Sequence, residues 1–231
     1  MNRSVWPNAV TALNLLAGCA ALAALWSGAY VLFLWLILLS GLADFADGLV
    51  ARALGAHSEL GKQLDSLADV ISFGLVPGAL GYTILAGGPG QWHISALPAF
   101  LLTLAAAFRL GKFNLDDRQT SGFLGLPTPA ATLFLVGYWL YIRQNAFGLG
   151  HIFSESYSVY GLIVLLSGLM VSEVPMFGLK FKGWQWAGNE IKFIFVSITM
   201  VGLIILQELA IAPLVLLYVL LSIFWNRLTP K

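Results

Sequence analysis

Residues 44–69, with the sequence DFADGLVARALGAHSELGKQLDSLAD, place four aspartates between long apolar runs. Only 10% of the 231 residues in the chain are charged, 59% are hydrophobic, and the mean hydropathy is +0.85. Soluble domains carry about 25% charged residues. The composition therefore predicts one integral membrane domain over residues 1–231. The net charge of +1 and the lack of a basic run give no indication of nucleic-acid binding.

Apolar runs on both sides of this stretch predict helices that span the membrane, each of which needs about 20 mostly apolar residues. The eight predicted spans are 8–27, 29–52, 58–85, 94–112, 126–144, 155–174, 189–207 and 209–226. The first run follows Arg3 and could instead be a signal peptide, but it is long and further spans follow directly. The predicted fold class is an all-α polytopic membrane helix bundle of about eight transmembrane helices.

Basic residues predict the orientation of this bundle, since Lys and Arg concentrate on the cytoplasmic side of membrane proteins. If the N-terminus is cytoplasmic and the spans alternate, Arg143 is the one basic residue of twelve on the opposite side. The cytoplasmic set is Arg3, Arg52, Lys62, Arg109, Lys112, Arg118, Lys180, Lys182, Lys192, Arg227 and Lys231. Both termini and the aspartate-rich stretch are therefore expected at the cytoplasmic face.

The aspartates form two pairs with helical spacing, Asp44 with Asp47 at i,i+3 and Asp65 with Asp69 at i,i+4. Each pair therefore shares one face of a helix. Between the pairs, Gly55 favours the end of one helix, and the serine three residues later favours the start of the next. The two helices are expected to be antiparallel neighbours, with all four carboxylates near one end.

Four carboxylates that face one another in a low-dielectric setting need a neutralising partner. Oxygen ligands without His or Cys suit Mg²⁺, Mn²⁺ or Ca²⁺ rather than zinc, and four carboxylates could hold two such ions. Gly48, Ala51 and Gly61 have little or no side chain and open a groove between the helices. Arg52 offers a planar fork to phosphate. Together these residues indicate a site for a nucleotide diphosphate and divalent metal.

Each of these residues alone also fits a different interpretation. Membrane aspartates relay protons or cations in transporters, small residues pack membrane helices, and an Arg near a helix end anchors the topology. A cation-coupled transporter is therefore the alternative from another functional class. Such a protein would be expected to continue the path with carboxylates at matching depth in the later spans, and the later spans carry none there.

The full spacing, D-x2-D-G-x2-A-R-x8-G-x3-D-x3-D, resembles the signature of the CDP-alcohol phosphotransferase family at every fixed position. The resemblance implies a six-helix membrane core, here extended by two helices, and a homodimer. It implies that an alcohol attacks the phosphoryl group of a CDP-linked donor and that CMP leaves. It assigns metal binding to Asp44, Asp47, Asp65 and Asp69, with Asp69 also a candidate base for the alcohol proton. It assigns the CDP part of the donor to Asp44, Gly48, Ala51, Arg52 and Gly61.

Three further stretches bear on the acceptor alcohol: SLADVISFGLVPG at 66–78, FRLGKFN at 108–114 and GLPTPAA at 125–131. They resemble the bacterial membrane-bound phosphatidylserine synthases, and this resemblance covers residues 5–145. It implies CDP-diacylglycerol and L-serine as substrates, a role in phospholipid biosynthesis and a place in the bacterial inner membrane. Synthases of phosphatidylglycerophosphate or phosphatidylinositol phosphate share the signature and remain alternatives.

The candidate acceptor residues in these stretches are Arg109, Lys112, Asn114 and Thr128. Arg109 or Lys112 would bind the serine carboxylate or the lipid phosphate, and both residues also fit an anchoring role at the membrane interface. Lys112 stands where the motif usually has Arg, so it keeps the charge and lacks the planar fork.

Overall fold

The computed structural model describes residues 5–56, 58–115, 123–178, 185–186 and 189–228, and helices dominate these ranges. They are α1 (Val5–Trp26), α2 (Tyr30–Leu54), α3 (Glu59–Leu85), α4 (Ile94–Leu115), α5 (Thr128–Arg143), α6 (Gly150–Ser154), α7 (Ser156–Val171), α8 (Glu190–Leu206) and α9 (Ile211–Leu228). Helix α3 contains a π-helical segment, Ile71–Leu75, and α4 begins as a 3₁₀-helix over Ile94–Phe100. The predicted all-α membrane bundle is confirmed.

Helices lie at all eight positions predicted to span the membrane. Five helical stretches in the described residues are long and apolar enough to cross a bilayer: Val5–Trp26, Tyr30–Leu54, Glu59–Leu85, Ile94–Leu115 and Glu190–Trp225. Helices α5 and α7 have 16 residues each. At 1.5 Å per residue each is about 24 Å long, which is shorter than the hydrocarbon core. The number of crossings therefore stays a prediction.

The last long stretch is a hairpin of two helices. The chain leaves helical geometry at Gln207, which has φ 52° and ψ −131°, and α9 begins four residues later. The ring of Phe195, before this turn, lies 5.9 Å from the ring of Tyr218, after it. In one straight helix these residues would be about 35 Å apart, so α8 and α9 must run antiparallel.

Helix α3 passes through the centre of the bundle, where Val76 and Leu80 are fully buried. Small residues bring its neighbours close. A methyl group on Gly18 of α1 would overlap with the Ser72 side chain, and one on Gly78 of α3 would overlap with the side chain of Thr103 in α4. These close approaches hold α1, α3 and α4 together around the segment that carries the aspartates.

Basic residues lie at both ends of the bundle. Arg52 and Lys62 lie at the end where α2 stops and α3 starts, whereas Arg143 lies at the other end, over the ring of Tyr30 at 4.1 Å. The described structure does not include Arg3, Arg118, Lys180, Lys182, Lys231 or the side chain of Arg227. The orientation of the bundle in the membrane stays a prediction.

A short antiparallel strand pair, which the sequence did not predict, joins the two ends of the α5–α7 segment. Strand β1 (Phe123–Leu124) pairs with β2 (Pro175–Met176). The next residue, Gly125, has φ +74°, and a Cβ there would lie 2.8 Å from the carbonyl oxygen of Ser172. The first glycine of GLPTPAA therefore has a structural role, because only glycine fits this turn.

We expect Gly125→Ala to lower the melting temperature of the detergent-solubilised protein. A positive φ and overlap with backbone oxygens together cost about 2–4 kcal/mol, which corresponds to a fall of roughly 5–12 °C for a chain of this size. Gly111→Ala is the matched control, since a Cβ at this helical position meets no atom of the described residues within 4 Å. Equal melting temperatures for the two variants would contradict the proposed role of Gly125.

Candidate active site

A pocket of about 500 Å³ opens where α1, α2 and α3 meet at one end of the bundle. Four of the five residues that the resemblance assigned to the CDP part of the donor line it together, and the fifth, Asp44, is not part of the lining. The full lining is Pro7, Asn8, Thr11, Asp47, Gly48, Ala51, Arg52, Ala56, Ser58, Glu59, Gly61, Lys62 and Asp65. Its volume lies within the range of about 300–1,000 Å³ that is typical of small-molecule sites.

The turn between α2 and α3 positions both walls of this pocket. Gly55 ends α2 in the left-handed conformation, at φ 58°, and its N–H bonds to carbonyl oxygens of the last turn. Ser58 caps α3, since its Oγ accepts a hydrogen bond from the Gly61 N–H at 3.0 Å. Both features confirm the predicted helix boundaries. The reversal is tight, so the aspartates of α2 and α3 come to face each other.

Three of the four aspartates form one cluster. Asp44, Asp47 and Asp65 each offer a carboxylate oxygen, and these three oxygens lie within 4.8 Å of one another. Asp47 is buried, and Oδ1 of Asp65 is buried without a hydrogen-bond partner among the described residues. An unpaired oxygen beside two further carboxylates fits an oxygen-coordinated divalent cation. We call these residues the aspartate trio, and they could hold a metal ion.

Asp69 lies one helical turn deeper than Asp65 and does not belong to the trio. It is 9% exposed, and its Oδ1 accepts a hydrogen bond from Asn14 Nδ2 at 3.3 Å. Its carboxyl group also lies beside the carboxyl group of Asp44. Because α2 and α3 are antiparallel, the deeper members of the two pairs contact each other, and the shallower members line the pocket.

Helix α1 supplies polar partners that the sequence analysis missed. Asn8 and Thr11 line the pocket, and Thr11 Oγ1 donates to Asp47 Oδ2 at 2.7 Å. Asn14, one turn further along, bonds Asp69. The spacing of Asn8, Thr11 and Asn14 at i, i+3 and i+6 on an otherwise apolar helix was a usable signal, because polar side chains are rare in membrane helices.

The guanidinium of Arg52 lies against the surface that Gly48 leaves open. A Cβ on Gly48 would sit 3.4 Å from Arg52 Nη1, and a Cβ on Gly61 would sit 3.0 Å from Asn8 Oδ1. Arg52 also interacts electrostatically with Asp47. The guanidinium group is therefore held next to the aspartate trio. Two positions on the pocket walls, Gly48 and Gly61, carry no side chain.

Arg109 and Lys112 line a second cavity of about 100 Å³, together with Met170 and Val171 of α7. Arg109 is only 8% exposed, and it interacts electrostatically with Asp69. Its Nε has no hydrogen-bond partner in the part of the chain that the structure describes. Such burial disfavours an interfacial anchor for Arg109. Lys112 is exposed and forms a salt bridge with Glu173 at 2.9 Å, so an anchoring role still fits it.

Asn114 and Thr128 are not among the residues that line the two cavities. Asn114 Nδ2 donates to Ser66 Oγ at 2.7 Å, and this bond ties the end of α4 to α3. Thr128 is 1% exposed, and its Oγ1 has no partner among the described residues. The structure thus gives Asn114 a packing role and leaves Thr128 with an unused hydroxyl in the interior.

Residues 4–174 match the family model for CDP-alcohol phosphatidyltransferase. The chain is 31% identical to a CDP-diacylglycerol–serine O-phosphatidyltransferase of Helicobacter pylori over 199 residues, 85% of this chain and 82% of the relative. It is 33% identical to one of Methanocaldococcus jannaschii over 166 residues, 71% and 70% of the two chains. It is 30% identical to one of Mycobacterium leprae over 184 residues, 76% and 59%. The matched region contains the whole aspartate-rich stretch.

Proposed function

Because this chain belongs to the CDP-alcohol phosphatidyltransferase family, we propose that it transfers the phosphatidyl group of CDP-diacylglycerol to the hydroxyl of L-serine. The products are phosphatidylserine and CMP. One arrangement supports this function most directly: two members of the aspartate trio, Asp47 and Asp65, line the pocket that also holds Arg52. The names of the relatives from Helicobacter pylori and Methanocaldococcus jannaschii support serine as the acceptor.

The larger pocket binds the CDP part of the donor. Arg52 pairs with the diphosphate through its planar fork, which matches two phosphate oxygens at once. Gly48, Ala51 and Gly61 let the diphosphate approach the helix backbones. Asp44 and Asp47 continue this surface toward the centre of the bundle.

Asp44, Asp47 and Asp65, with Asp69 beside them, are the residues that would hold divalent metal, which we infer to be two ions of Mg²⁺ or Mn²⁺. When bound, divalent metal offsets the negative charge of the diphosphate and polarises the reacting phosphoryl group. Thr11 orients the Asp47 carboxylate, because its hydroxyl donates a hydrogen bond to Oδ2 and leaves the other oxygen for the metal.

In the transfer step, the serine hydroxyl oxygen bonds to the phosphorus that carries diacylglycerol. The bond between this phosphorus and the bridging oxygen breaks, and CMP leaves with that oxygen. Asp69 takes the hydroxyl proton. A carboxylate is a weak base in water, so the placement of Asp69 must supply much of its effect.

The acceptor approaches from the side of α4 and α7. Arg109 is buried and interacts with Asp69, and no described residue pairs with its Nε, so we assign it to the serine carboxylate or the lipid phosphate. Lys112 adds a second positive charge at the mouth of the smaller cavity. Thr128 offers an unused hydroxyl for a further polar contact, and Asn114 supports this wall by holding α4 to α3.

The site faces the cytoplasm in this proposal, with both termini on that side of a bacterial inner membrane and eight crossings. The positions of Arg52 and Lys62 at the site end, and of Arg143 at the far end, support this orientation. A homodimer follows from the resemblance to the family. The transporter alternative has no comparable support, because the trio borders a nucleotide-sized pocket at one end of the bundle.

The purified protein should release CMP from CDP-diacylglycerol only when L-serine and Mg²⁺ or Mn²⁺ are both present. A panel that also contains glycerol 3-phosphate and inositol phosphate would check this by chromatography of CMP. Release that depends on glycerol 3-phosphate and not on serine would overturn the serine assignment. Cation flux in proteoliposomes without CMP release from any alcohol would favour the transporter.

A further inference from the structure

A chain of buried hydrogen bonds leads from α2 through α1 to Asp69. Ser40 Oγ of α2 donates to Asn14 Oδ1 at 2.6 Å, and Asn14 Nδ2 donates to Asp69 Oδ1 at 3.3 Å. Asn14 and Ser40 are each 0% exposed. Water therefore does not reach these two side chains, and the chain of bonds ends on a group of the proposed reaction.

The direction of these bonds is fixed by chemistry. An ionised carboxylate accepts hydrogen bonds and does not donate them, so Asn14 must turn its NH₂ toward Asp69. The amide oxygen then points at Ser40, which has a single proton to give. Ser40 thus holds the Asn14 amide in the one orientation that suits Asp69. Hydrogen bonds in such a chain also polarise and strengthen one another.

We propose that Asn14 and Ser40 are positioning residues for the Asp69 carboxylate. Asn14 occupies Oδ1 and so fixes the orientation of the Asp69 carboxyl group beside Asp44. This inference rests on the proposed function, in which Asp69 accepts the proton of the alcohol. Asp69 also lies two residues before the π-helical segment Ile71–Leu75, a segment type that often occurs at functional sites.

A purely structural role is the competing explanation, since hydrogen bonds between membrane helices contribute to packing. Ser72 separates the two explanations. Its hydroxyl is also 0% exposed and also bonds Asn14, but it donates to the backbone carbonyl oxygen, at 3.2 Å. Ser40→Ala and Ser72→Ala therefore remove equally buried hydroxyls that contact the same residue, and only the first one frees the amide to rotate.

The test compares Asn14→Leu, Ser40→Ala, Ser40→Thr and Ser72→Ala in the CMP-release assay. Misplacement of a reacting group by about 1 Å can cost 100-fold in rate. We expect Asn14→Leu to lower kcat about 100-fold and Ser40→Ala to lower it about tenfold, with the donor KM unchanged. Ser40→Thr should restore kcat, and Ser72→Ala should match the wild type. Calorimetric affinity for CMP should stay constant throughout, and Ser40→Ala and Ser72→Ala should have equal melting temperatures.

Equal losses in Ser40→Ala and Ser72→Ala would overturn the inference. So would a loss of kcat that follows the melting temperature or the CMP affinity, because the residues would then support packing or the donor pocket. The activity of the wild-type protein tests the proposed function independently of these variants. If it uses an alcohol other than serine, the serine assignment fails and the same comparison runs with that alcohol. No CMP release with any alcohol overturns both proposals.

Discussion

Asp65→Asn should lower kcat for CMP release by about a thousandfold or more. The substitution keeps the shape of the side chain but removes one of three negative charges whose oxygens lie within 4.8 Å. Divalent metal stabilises a phosphoryl-transfer transition state by several kcal/mol, and each 1.36 kcal/mol corresponds to a factor of ten in rate. The measurement is the initial rate of CMP release at saturating serine, with Mn²⁺ affinity determined by calorimetry without substrates.

The matched control is Glu208→Gln, which makes the same change of charge at the far end of the bundle, where Glu208 accepts a bond from Gln144. We expect this variant to keep wild-type activity and Mn²⁺ affinity. An active Asp65→Asn variant that binds Mn²⁺ as well as the wild type would contradict the assignment of the trio as a metal site. Raising the Mn²⁺ concentration should recover part of the lost rate only if the remaining two carboxylates still bind the ion.

Arg52→Gln should lower kcat/KM for CDP-diacylglycerol about 100-fold. Hydrogen bonds to charged groups contribute about 1.5–3 kcal/mol, and Arg52 lies over the open surface of Gly48 in the donor pocket. Arg52→Lys should lose about tenfold, because it keeps the charge and loses the planar fork. The affinity for CMP should fall in parallel, since Arg52 contacts the donor before the transition state is reached.

Arg143→Gln is the control for this series, because it removes an arginine at the opposite end of the bundle. It should leave kcat/KM unchanged, although it removes a cation–π contact with Tyr30. An Arg52→Gln variant with wild-type CMP affinity and wild-type donor KM would show that Arg52 does not bind the donor. A fall in kcat alone, at constant CMP affinity, would instead place the Arg52 contact in the transition state.

The sequence predicted the local geometry of the site well, because that geometry depends on residues close together in the chain. Gly55 and Ser58 end and start helices through their own backbone and side-chain chemistry, and the structure confirms both. The small residues and Arg52 gather in one pocket for the same reason. The spacing of these residues on two antiparallel helices was enough to predict that they share one pocket.

Features that depend on distant residues were not predicted. The bonds from Thr11 to Asp47 and from Asn14 to Asp69 arise only when α1 packs on α2 and α3. The i,i+4 spacing put Asp65 and Asp69 on one face but did not show that a rise of about 6 Å per four residues would separate Asp69 from the trio. The strand pair next to Gly125 joins segments whose positions no local pattern specifies.

The tight turn at Gly55 also has a consequence for biogenesis. It connects α2 to α3 through four residues, so the aspartates meet as soon as this helical hairpin inserts into the membrane. Short sequence separation keeps the entropy of loop closure small, and such contacts form early in folding. The strand pair between Phe123–Leu124 and Pro175–Met176 closes a much longer loop and must wait for later helices. We therefore expect the aspartate trio to assemble during synthesis, before the wall formed by α7 is in place.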